Sequence, residues 1–94
     1  MNVFNSIQAA LILKPQESGG GYKFNGQVVM TKSFVMEFGD LAEEIAINAL
    51  IKVIIKRANS PEGADYLQVL SYEGTIFWII DDVSVVTILL PEDY

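Results

Sequence analysis

The chain has no cysteine and no histidine. Without cysteine there is no disulfide framework and no thiolate metal site. Without histidine, the commonest general base and the commonest transition-metal ligand are both missing. Ser–His, Cys–His and zinc chemistry of the usual kinds are thereby excluded. Ser6, Ser18, Ser33, Ser60, Ser71 and Ser84 stand in no nucleophile-elbow context. Basic residues are scarce as well: six, against twelve acids, for a net charge of −6. Such a surface repels phosphate backbones and anionic membranes, which disfavours direct nucleic-acid binding. An unbroken apolar span is also missing. The nearest candidate, Thr75–Leu90, is split by Asp81-Asp82 and falls short of the ~18 residues a membrane crossing needs. Met1–Leu13 lacks a basic n-region and a small-residue cleavage site, so no signal peptide is expected. These absences imply a soluble, cytoplasmic, non-enzymatic protein with no cofactor and no metal.

What is present is apolar. Hydrophobic residues make up 51% of the chain and mean hydropathy is +0.34, which implies an ordered core in one domain over residues 1–94. The richest stretch is Asp65–Leu90, DYLQVLSYEGTIFWIIDDVSVVTILL. It holds three β-type runs, Tyr66–Tyr72, Thr75–Ile80 and Val83–Leu90, cut by Glu73-Gly74 and Asp81-Asp82. Tight connections predict an antiparallel meander, and Pro91 ends the last strand.

Upstream, Phe4, Ile7, Ala10 and Leu11 recur at helical spacing, so a short helix is expected within Asn2–Lys14, with Asn2 as a possible cap. Leu11-Ile12-Leu13 could equally open a strand. Pro15 stops the helix, and Gln16–Gly21 reads as a flexible loop whose Gly triplet joins no packed element. Asn25-Gly26 predicts a hairpin between Tyr22–Phe24 and Gln27–Thr31. Thr31–Phe38 is open between helix and extended chain. Asp40–Arg57 is the clearest element. Asp40 as N-cap and Glu43 form a variant capping box, and Ile45, Ala46, Ala49, Leu50 and Val53 make a stripe. Lys52, Lys56 and Arg57 suit the negative end of its dipole. The expected fold is therefore α+β. A mainly antiparallel sheet of four or five strands is packed by one long central helix and a short N-terminal helix.

Alternation assigns side chains to opposite faces within each strand, and neither face is polar. Leu67 and Val69 oppose Tyr66, Gln68, Leu70 and Tyr72. Phe77 and Ile79 oppose Ile76, Trp78 and Ile80. Val85, Thr87 and Leu89 oppose Val86, Ile88 and Leu90. The long helix can cover one face and the N-terminal helix part of the other. A remaining aromatic-bearing apolar surface points to a partner. The expected partner-binding residues are Tyr66, Tyr72, Trp78, Asp81 and Asp82. Asp81-Asp82 on its own reads as a solvated turn, because no spaced ligand loop accompanies it.

The stretches GQVVMT (Gly26–Thr31), EGTIFWIID (Glu73–Asp81) and VVTILLPEDY (Val85–Tyr94) resemble an uncharacterised family of small bacterial and plasmid-borne proteins of unknown function. Its pattern is G-x-V-V-x-T, a helix, G-x-x-x-F-W-x-I-D and V-x-T-I-x-L-x-E-[DE]-Y. The matching residues are Gly26, Val28, Val29, Thr31, Gly74, Phe77, Trp78, Ile80, Asp81, Val85, Thr87, Ile88, Leu90, Glu92 and Tyr94. The spacing from Gly74 to Phe77 is one residue shorter here, and the insert after Ile80-Asp81 is missing. The resemblance implies a shared fold and a mobile-element setting, and no activity.

The function expected is a protein-interaction module that forms a homodimer or docks on a protein partner through an apolar sheet face or an edge strand. The alternative is a phage- or plasmid-encoded anti-defence inhibitor whose acidic surface blocks a host nucleic-acid-binding protein. That alternative asks Glu37, Asp40, Glu43 and Glu44 to cluster with Asp81, Asp82, Glu92 and Asp93.

Overall fold

A computed structural model describes residues 3–94, with side chains from residue 6 onward. The chain folds as α+β. Its main sheet has five strands: β1 (Leu11–Leu13), β3 (Gln27–Met30), β5 (Leu67–Tyr72), β6 (Thr75–Asp81) and β7 (Val85–Leu89), ordered β1-β5-β6-β7-β3. The expected meander is its centre. Leu70 lies opposite Phe77 and Ile79 opposite Ile88, both pairs antiparallel. β1 joins one side antiparallel, with Ile12 opposite Ser71. β3 joins the other side parallel, with Val28 opposite Val86. A parallel neighbour needs a long crossover, which the central helices supply.

The expected Asn25-Gly26 hairpin does not form. Phe24 turns into the core, fully buried, with φ +56°. Gly26 instead lies against β7: a Cβ there would sit 2.6 Å from the Ser84 carbonyl oxygen. The Gln27 N–H donates to that same oxygen at 3.1 Å. Burial of a phenylalanine outweighs the local turn preference.

The N-terminal helix is α1 (Val3–Ala10), and Leu11-Ile12-Leu13 takes the strand alternative. The suggested Asn2 cap lies outside the described residues. Thr31–Phe38 resolves as α2 (Lys32–Phe38), with the Thr31 hydroxyl accepting from the Phe34 N–H. Gly39, at φ +57°, breaks the helical path before α3 (Ala42–Val53), which runs on as a π-helical turn, Ile54–Ala58. The Asp40 cap is therefore corrected. Asp40 is exposed in the 3-10 turn Gly39–Leu41, and α3 begins without a side-chain cap.

The glycine triplet is also corrected. Gly20-Gly21 forms a two-residue strand, β2, parallel to β4 (Gly63–Ala64). The two backbones meet only because Gly20 and Gly63 lack side chains: a Cβ on Gly63 would run into the Gly20 carbonyl oxygen. Gln16 ties this corner to the sheet. Its amide donates to the Gly63 carbonyl at 2.9 Å, and its oxygen accepts from buried Gln68 at 2.7 Å.

The core lies between the helices and one side of the sheet. Ile45, Ala46, Ala49 and Val53 of α3 meet Leu70, Phe77, Ile79, Val86 and Ile88, all buried. Phe34 of α2 lies edge-on to Phe77 at 5.3 Å.

Candidate functional site: the open face of the sheet

The register sorts the strands' side chains into two faces. On the helix side, Leu13, Leu70 and Phe77 form one row, and Gln68, Ile79, Ile88 and Met30 another. On the opposite side, Ile12, Ser71 and Ile76 form a row, then Val69, Trp78 and Leu89, then Leu67, Ile80, Thr87 and Val29. That second side carries no ionisable residue on any of the five strands.

The helices leave it uncovered. The N-terminal helix, expected to claim part of this face, packs on α3 instead: the Gln8 amide donates to Asn48 Oδ1 at 3.0 Å and to the Asn48 carbonyl at 2.8 Å. All three helices thus sit on the same side. The consequence is visible in exposure: Ile12 56%, Ile76 46% and Val29 38%. Around them Leu67, Val69, Trp78, Ile80 and Thr87 are half-buried and Ser71 and Leu89 are buried, so Ile12 and Ile76 share a row while Val29 stands apart on the far edge.

One corner is covered by the chain itself. After β7 the backbone makes a 3-10 turn, Pro91–Asp93, which sets the Tyr94 ring edge-on to Trp78 at 5.6 Å. Leu89 shares that row with Trp78 and is only 5% exposed. The turn is tied down by Asp93, whose Oδ2 accepts from the Ser33 hydroxyl, from the Thr31 hydroxyl at 2.7 Å and from the Leu90 N–H at 3.0 Å. The Ser33 and Thr31 bonds hold the Asp93 carboxyl below the ordinary carboxylate range.

The five residues expected to bind a partner do not form one site. Trp78 lies on the open face. Tyr66 is exposed just before β5, edge-on to Tyr22 at 6.2 Å. Tyr72 is on the helix side, 6.0 Å from Phe38, and burial followed by the hydrogen bond and charge of Glu73 push its phenol up. Asp81 points inward and is 4% exposed. Its Oδ2 accepts from the Phe24 N–H at 2.9 Å and its Oδ1 from the Val83 N–H at 2.8 Å. Both donors belong to residues in the left-handed region, Phe24 at φ +56° and Val83 at φ +82°. Asp81 is thus a structural clamp on two strained loops. Asp82 is exposed and accepts from the Val85 N–H at 2.8 Å, as a turn former does. Ile12, Val29, Ile76 and Leu89 were not among the partner-binding residues expected from the sequence. Alternation placed Ile76 beside Trp78, but only the register shows that they share an uncovered side.

The remaining charges are dispersed. Lys52 Nζ donates to the Gln8 and Leu11 carbonyls at 3.2 Å each, and Arg57 to the Lys14 carbonyl at 2.6 Å. These bases, with Lys56, line a cavity of about 500 Å³ beside β1. Lys52 and Arg57 thereby occupy the Leu11 and Lys14 carbonyls at that sheet edge. Asp81 and Asp82 precede β7, while Glu92 and Asp93 follow it, so the two acidic pairs sit at opposite ends of that strand. Among the described residues, no three acidic side chains gather as a metal site, and no helix is long and apolar enough to cross a membrane. Comparison of the chain with protein-family models, with curated proteins and with solved structures finds no match.

Proposed function

We propose that this chain is a non-enzymatic interaction module that docks a protein partner on the open face of its sheet. A single observation carries the reading. Five strands present an apolar, charge-free surface that no helix of the described chain covers. Burying such a surface releases ordered water and is favourable in proportion to its area. Its one tryptophan stands on the middle strand, the kind of residue and position that dominates interface energetics. The face is favoured over the edges. β1 is short, with Lys52 on its Leu11 carbonyl and Arg57 on the Lys14 carbonyl just after it, and β3 offers only four residues.

A hydrophobic dye titrated into dilute protein tests this. Strong uptake by the wild type, and its loss in Ile76→Lys, is the expected result. Equal uptake by both proteins, or none by either, contradicts it.

A further inference from the structure

We infer that Asn25-Gly26 is a site of spontaneous covalent modification, at which the asparagine closes onto the Gly26 nitrogen and reopens as aspartate or isoaspartate. The inference is independent of the docking-face reading. It starts from the Asn-Gly pair that forms no hairpin.

The reaction needs a nucleophile, a carbonyl and water. The Gly26 amide nitrogen adds to the side-chain carbonyl carbon of Asn25. Its proton leaves with Nδ2 as ammonia, and a succinimide ring closes between the two residues. One water molecule then opens either ring carbonyl, which gives aspartate or isoaspartate. Glycine favours the closure, because no side chain hinders the approach of its nitrogen.

The fold leaves each participant accessible. Asn25 is exposed, and Gly26 lies in a bend just before β3. Among the described residues nothing accepts from the Gly26 N–H, and the Asn25 carboxamide makes no hydrogen bond. Asn25 also lines an open cavity of about 400 Å³ with Lys23, Asp81 and Val83, which gives water a way in. The other two described asparagine side chains differ. Asn48 is 2% exposed within α3, where its amide donates to the Glu44 carbonyl at 2.7 Å and its Oδ1 accepts from Gln8. Asn59 is exposed, but the Ser60 N–H that would attack it donates to the Arg57 carbonyl at 3.0 Å.

The consequence falls on β3. The Phe24 N–H is held by Asp81 at 2.9 Å and the Gln27 N–H by Ser84 at 3.1 Å. Isoaspartate puts an extra methylene into the main chain between those two anchors, which strains one or the other. Gly26 has little room to absorb it, since its backbone already lies against the Ser84 carbonyl. β3 is an edge strand paired with β7 and carries Val29 at the border of the open face, so the modification loosens that border.

Peptide mapping of the folded full chain by mass spectrometry, during incubation in mildly alkaline buffer, tests the proposal. Asn25 should convert at least about tenfold faster than Asn59, to two products of equal mass. A synthetic peptide of residues 23–28 gives the unrestrained rate in the same buffer. Asn25 left intact in the folded chain while the peptide converts, or Asn59 converting as fast as Asn25, would overturn the proposal. Asn25→Asp adds a charge without the extra methylene, and should melt within about 4 °C of the wild type. The purified isoaspartate form should melt below both. An isoaspartate form that melts together with Asn25→Asp would overturn the effect assigned to β3.

Discussion

The Tyr94 ring stands edge-on to Trp78, with centroids 5.6 Å apart and planes 67° apart. Tyr94 is itself exposed, so the contact ties the last turn of the chain to the middle strand of the open face. Trp78 is the chain's sole tryptophan, so its emission reports on that face alone. Tyr94→Ala removes an aromatic pair of about 0.5–1.5 kcal/mol and is expected to cost no more than that in chemical denaturation. The same variant should red-shift Trp78 emission as water reaches the indole. An unchanged spectrum would show that the ring does not cover Trp78 in solution.

Asp93 holds the turn that carries Tyr94, and its contribution depends on pH. Its carboxyl is lowered in the folded chain, chiefly by the Ser33 hydroxyl, then by Thr31. The stabilisation is therefore fully present above the ordinary carboxylate value. It is lost as pH falls through the lowered folded value. An NMR titration should place the Asp93 midpoint below the ordinary carboxylate value, and Ser33→Ala should raise it. A midpoint that Ser33→Ala does not move would remove the Ser33 bond as the cause.

Two neighbouring acids should behave very differently. Asp81→Ala strips charge-assisted partners from the Phe24 and Val83 N–H groups and should cost about 3 kcal/mol. Asp82→Ala loses one exposed bond to Val85 and should cost less than about 1 kcal/mol. Urea denaturation of the two variants measures the contrast. Equal losses would contradict the clamp role of Asp81.

Two glycines at positive φ make a second contrast. Gly74→Ala at φ +87° meets open space, so it pays only the backbone cost of about 1–2 kcal/mol. Gly63→Ala at φ +70° adds a collision with the Gly20 carbonyl and should cost about 3 kcal/mol or more. Thermal melts that rank them in the other order would mean that the β2–β4 contact is not held in solution.

The central strands were readable because Glu73-Gly74 and Asp81-Asp82 interrupt runs too apolar to be loops. The α3 stripe was readable because Ile45, Ala46, Ala49 and Val53 repeat at helical spacing, and each is buried. Local signals failed where a tertiary contact outweighed them. The Asn25-Gly26 turn gave way to burial of Phe24, and the Asp40 cap to a helix break at Gly39. The Gly triplet packs because Gly63, more than forty residues away, also lacks a side chain. The doubled apolar character of the meander was visible in the sequence, and so was the question of what covers its second face. α1 takes the helix side, where Ile7 enters the core and Gln8 bonds to Asn48, and the periodicity within α1 names its buried residue but not the side of the sheet it meets.

Acrylamide quenching of Trp78 emission in dilute protein gives the most direct test of the open face as an uncovered surface. The account predicts that the quencher reaches the indole in the wild type, and reaches it more readily in Tyr94→Ala, which removes the ring resting on it. An indole that resists the quencher equally in both proteins would contradict it.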